Sequence, residues 1–147
     1  MEMTKIILPN VADELVQMHL WRSKFFDKAS RCERELRRLL ALPANDKSHF
    51  KVMAEKLIAT KKDEKKSALP RLVDELIPLI ELRAELAHSH FVGFSGTEST
   101  DAMFENASFS HIHFSKYTVL TNEQRNQAYG RLSWIAGQLA KTAVLQD

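Results

Sequence analysis

Arg83, His88 and His90 fall in one short stretch, Glu81-Leu82-Arg83-Ala84-Glu85-Leu86-Ala87-His88-Ser89-His90, where an apolar helix pattern gives out. An arginine stays charged at any physiological pH and presents a planar fork of N–H donors that can hold two phosphoryl oxygens at once. An imidazole, with an ordinary pKa near ~6.5, exchanges a proton at neutral pH. Side by side, the two could exchange a proton and hold an anion. Spacing alone does not bring them together, because residues five apart on a straight helix are separated by about 140° and about 7.5 Å of rise. Either the helix unwinds at Ala87 and Ser89 so that His88 turns back, or a two-fold dimer sets two helix ends against each other.

A second chemistry starts from the histidines. His88-Ser89-His90 and His111-Ile112-His113 are two His-x-His pairs. On strands each pair would point to one face, and adjacent strands could offer four imidazoles to zinc, nickel or iron. No cysteine accompanies them, and Asp101 and Glu105 are the nearest carboxylates.

The elements that must carry these residues follow from the apolar spacing. Val11, Leu15, Met18, Phe25, Ala29, Cys32, Leu36 and Leu39 recur every three or four residues, which predicts a long amphipathic helix from about Asn10 to Leu40. Arg22 is the one break in that stripe. Asn10 is the expected N-cap, and Pro43 and Asn45 the stop. Near the end of this helix Arg34, Arg37 and Arg38 cluster on one side, either as a solvated face with Glu33 and Glu35 or as an RNA-facing patch. A shorter helix is expected from Ser48 to Thr60 on Phe50, Met53, Ala54, Leu57 and Ile58, followed by an exposed Lys61–Lys66 connection. The third, from about Leu69 to His88, is apolar on most of its surface and reads as central, with Pro78 kinking or restarting it. Arg83 falls on its apolar stripe, where a bare guanidinium must meet a partner or line a cleft. Between Ser89 and Leu120 the helical period disappears, and short apolar runs punctuated by Gly96, Thr97, Ser99 and Asn106 indicate two or three strands or an ordered loop. Thr121 with Gln124 then forms a capping-box signature for a last helix buried through Ala128, Leu132, Ile135, Leu139 and Ala143.

The expected fold is therefore all-α: an up-and-down bundle of about four helices in one domain, residues 1–147, with a small β-like insertion between the third and last helix. With 147 residues and 44% apolar content the chain is long enough to bury a core. Its 21 basic and 19 acidic residues nearly cancel, so any attraction for an anion must be local. The single cysteine, Cys32, lies on the apolar stripe and fits a small core residue in a reducing compartment. No apolar run reaches the ~20 residues of a membrane span, and Met1 to Pro9 lacks a secretory signal, so the expectation is a soluble, cytoplasmic protein with no membrane partner. Trp21, Trp134, Phe25 and Phe26 are read as core or dimer packing rather than base-stacking platforms.

An apolar helix closing on an arginine and a histidine with four residues between them, in a small mainly helical protein, resembles the signature of the HEPN family. Its members include metal-independent ribonucleases and toxins of bacterial conflict systems. The resemblance covers about one helix. It implies RNA as substrate, a homodimer whose interface composes the cleft, no cofactor, and a protein partner such as an antitoxin. In that reading His88 is general base or acid, Arg83 stabilises charge on the phosphate, and His90, at a looser spacing the family also tolerates, replaces or assists His88. Active members usually carry a polar residue, often Asn, directly after the arginine, where this chain has Ala84. That departure supports the alternative of a non-catalytic HEPN-like dimerisation or interaction module; the His-cluster metal protein is the second alternative.

Overall fold

The computed structural model describes residues 11–60, 68–95, 100–107 and 116–144. Within them the chain runs α1 (Val11–Leu39), α2 (Phe50–Thr60), α3 (Ala68–Ala87), β1 (Ser89–Phe94), β2 (Ala102–Asn106), β3 (Tyr117–Leu120) and α4 (Asn122–Ala140). The expected Asn10 cap, the Lys61–Lys66 connection and the His111–His113 pair lie outside the described residues. Four helices stand where the periodicity put them. The insertion is more than β-like: it is an antiparallel sheet in the order β1-β2-β3, so the fold is a helical bundle carrying a small sheet and not purely α.

α1 packs chiefly on α4, and α2 on α3. The buried stripe of α1 is Met18, Trp21, Phe25, Ala29, Cys32, Leu36 and Leu39, spaced three or four apart as one helix face requires. It passes through Trp21 and not Arg22, and Leu15 is exposed, which corrects the upper part of the expected stripe. Trp21 stacks on Phe25 with ring centroids 5.2 Å apart and donates its indole N–H to the Arg125 carbonyl at 2.6 Å. Its polar edge is thereby satisfied inside the core. α1 ends before Pro43 in a Schellman turn: Ala41, at φ 51°, lets its own N–H reach the Arg38 carbonyl while Leu42 N–H reaches Arg37.

α3 continues as one helix through Pro78, whose exposed position leaves the missing N–H on the solvent side. Leu69, Leu72, Val73, Leu76, Ile80 and Leu86 are its buried residues. α4 opens with the expected capping box, Thr121 and Gln124 each accepting from the other's backbone N–H. Leu132, Ile135, Ala136 and Leu139 are buried, whereas Ala143 lies beyond the helix and is exposed. Trp134 is 56% exposed, so it is not a core residue; Ile135 beside it takes that place. No helix among the described residues is long and apolar enough to cross a membrane.

Helix ends leave carbonyls without partners, and here arginines from other elements fill several of them. Arg22 on α1 donates to the Leu86 and Ser89 carbonyls at 2.5 and 3.0 Å, closing the end of α3. Arg38 does the same for α4 through Leu139 and Thr142, both at 2.9 Å. Arg125, 3% exposed, ties the Thr100 carbonyl just ahead of β2 to the Leu120 carbonyl at the end of β3. Burial pushes its guanidinium pKa down from the ordinary value, with Glu14 and Asp101 acting in the opposite sense.

Candidate functional site

α3 stops at Ala87, and the His88 N–H closes a tighter turn onto the Glu85 carbonyl at 3.2 Å. The His88 carbonyl in turn accepts from Ala107 N–H just past β2, which fixes the turn against the sheet. On the other side of the turn, Thr118 on β3 and Asn106 on β2 both donate to the Glu85 carboxylate, and Asn106 also donates to the Thr118 hydroxyl at 2.9 Å. α3 thus ends one residue ahead of His88. Arg83 and His88, which would diverge on a straight helix, line one cleft of about 450 Å³, a volume within the ~300–1,000 Å³ of small-molecule sites.

Arg83 is half-buried with its guanidinium carbon 5.8 Å from the centre of the Phe26 ring. Arg22 shares the same ring at 5.6 Å. The ring attracts both cations without consuming a donor. Among the described residues the buried Arg83 Nε has no hydrogen-bond partner. Because that Nε is enclosed, the guanidinium charge rather than the Nε–H is what Arg83 can offer an anion in the cleft.

The opposite part of the wall comes from the α1–α2 connection and the first turn of α2: Lys47, His49 and Lys51, with Arg37 and Glu33 from α1. Arg37 organises this connection, donating to the Asp46 and Ser48 carbonyls at 2.9 Å each and lying 3.8 Å from the Asp46 carboxylate. The Asp46 carboxylate accepts from Ser48 N–H at 2.8 Å, and hydrogen bonds from Ser48 hold its pKa below the ordinary carboxylate value. Four cations, Arg37, Lys47, Lys51 and Arg83, line the cleft with Glu33, but Arg37 also lies beside Asp46 and Lys51 pairs with Glu81 at 3.2 Å. Three carboxylates thus offset the four cations, and the local excess of positive charge is small.

The remaining expected residues divide. His90 stands in β1, exposed and in register with Glu105, and is not among the described residues that line the cleft. Arg34, Arg37 and Arg38 do converge, lining a neighbouring pocket of about 540 Å³ with the Ala41–Ala44 turn. Arg37 and Arg38 are nonetheless engaged with backbone carbonyls, and Arg38 also pairs with Glu35 at 2.8 Å; Arg34 is exposed. His49, Lys47 and Lys51 are cleft residues that the sequence did not single out. Their one signal is the run Lys47-Ser48-His49-Phe50-Lys51, polar and cationic at a helix start, with nothing in it to announce that it faces Arg83. Among the described residues no group of three or more His, Cys, Asp or Glu is placed to hold a metal ion; His111 and His113 lie outside them.

No protein-family model matches the chain, and no curated protein or solved structure is similar to it.

Proposed function

We propose that the protein is a metal-independent endoribonuclease of HEPN-like type, working as a homodimer on single-stranded RNA. The observation that carries the reading is Arg83, set over the Phe26 ring and sharing its cleft with His88 and three further cations. Such a cleft attracts a phosphodiester and orients it through paired N–H donors. The ribose 2′-hydroxyl then attacks the neighbouring phosphorus, His88 exchanges a proton with one of the reacting oxygens, and Arg83 stabilises the charge that builds on the phosphoryl oxygens.

The test is cleavage of a broad single-stranded RNA pool in EDTA, with DNA of the same sequence left intact because it lacks the attacking hydroxyl, and with cyclic-phosphate ends on the products. Arg83→Ala and His88→Ala should each lower the rate by at least ~10²-fold, while His90→Ala, exposed on the sheet, should change it little. Thermal melts of each variant separate lost chemistry from lost fold.

One observation favours a second reading, a non-catalytic interaction module: Ala84 lines the cleft with a methyl group where active HEPN members carry a polar side chain. Wild-type protein that is folded, leaves RNA uncut and binds another protein through the Arg83 face would select it.

A further inference from the structure

In-line displacement at phosphorus puts the entering and leaving oxygens on opposite sides of the reacting centre. A single imidazole that removes a proton from one cannot reach the other without moving, so two fixed proton-exchanging groups on different walls suit the reaction better. The cleft holds two histidines from different elements: His88 in the turn after α3, and His49 immediately ahead of α2. Both are exposed side chains, and Arg83 lines the same cleft.

His49 is held as a functional residue would need to be. Its carbonyl accepts from Met53 N–H at 3.0 Å, which makes it the N-cap of α2. The connection just before it is fixed by the two Arg37 hydrogen bonds and by the turn from Ser48 N–H to Asp46. A pinned backbone aims the ring with little loss of entropy on binding.

We infer that His49 is the second proton-exchanging residue of this cleft, so that His49 and His88 of one chain divide the acid and base steps of RNA scission. The assignment rests on the phosphodiester reading above and adds a catalytic residue to it. As the 2′-oxygen bonds to phosphorus, its proton passes to one imidazole. As the bond from phosphorus to the 5′-oxygen breaks, that oxygen takes the electron pair and a proton from the other, protonated, imidazole. Exchange with water restores both rings, and nothing is oxidised or reduced.

The experiment compares wild type, His49→Asn and His88→Ala on two substrates in EDTA: single-stranded RNA, and a ribonucleoside 3′-(4-nitrophenyl) phosphate whose leaving group needs no proton. Asn is a strong N-cap, so His49→Asn keeps the melting temperature of wild type while removing proton exchange. The expected result is a fall in kcat on RNA of at least ~10²-fold for both variants, with KM changed much less. On the aryl ester, the variant lacking the acid recovers to near the wild-type rate and the variant lacking the base does not. His49→Asn that cleaves RNA at a rate close to an active wild type overturns the inference and leaves the phosphodiester reading standing. A defect confined to KM overturns it as well, making His49 a binding residue, and so does an identical response of both variants to the aryl ester. Wild type inactive on both substrates removes the phosphodiester reading, and this inference with it.

Discussion

Ala41 occupies a backbone conformation that suits glycine. At φ 51° its methyl group crowds the following carbonyl, yet the turn it makes satisfies the last carbonyls of α1 and starts the connection that carries His49 into the cleft. Replacement by glycine relieves that crowding and loosens the unfolded chain, effects of opposite sign, of which the relief is the larger. Ala41→Gly should therefore raise stability by about 0.5–1 kcal/mol, seen in urea as a higher midpoint with an unchanged slope. Arg22 shows the reverse case, a residue that looks wrong and is needed. It interrupts the apolar pattern of α1, but its guanidinium lies against Phe26 and Phe104 and closes the end of the helix that holds Arg83.

The seam between α1 and α4 is tight enough to bury Cys32 completely, with its Sγ 3.8 Å from the Leu132 carbonyl. Burial first, then the nearby Glu35 carboxylate, push the thiol from its ordinary 9.0 up to about 12. An unfolded chain releases that proton above pH 9 and the folded one holds it, so this contribution to stability is full below pH 9 and is lost as pH rises towards 12. Cys32→Ala leaves a small cavity and should be the less stable protein at pH 7. The gap should narrow steadily above pH 9 when both are denatured across that range. The positions of all four helices, the Thr121 cap and the stretch that holds the strands were legible because each is a local matter of spacing and end chemistry, whereas β3 lies at Tyr117–Leu120, at the far end of that stretch. The cleft was legible only in half. Arg83 and His88 announce themselves on one helix end, whereas Lys47, His49 and Lys51 become their neighbours only through the packing of α2 on α3, and no periodicity encodes which loop will face which helix end. The same applies to Arg38: a helical surface of mixed charge looks the same whether it meets water or the carbonyls of α4.

At the scale of the whole molecule, apolar surface among the described residues remains uncovered. Leu15, Val16 and Leu20 on α1 are 37%, 54% and 45% exposed, and Trp134 on α4 is 56% exposed. A second copy covering such surface is the simplest way to remove it from water. Light scattering at tens of micromolar should report twice the chain mass; a monomer at that concentration would end the dimer proposal. The inward-facing arginines have a further effect, on counterions. Arg22, Arg37, Arg38 and Arg125 are engaged with backbone carbonyls and Lys51 pairs with Glu81, which leaves about three cations, Arg34, Lys47 and Arg83, to displace salt from a polyanion. Single-stranded RNA releases about 0.7 of an ion per phosphate neutralised, so the logarithm of its affinity should fall against the logarithm of salt with a slope of about −2. A slope twice as steep would mean that the capping arginines let go of their helices to reach the nucleic acid. At about −2 the arginines that fasten the helix ends stay where they are, and a fourfold rise in salt should weaken the proposed RNA binding by about 16-fold.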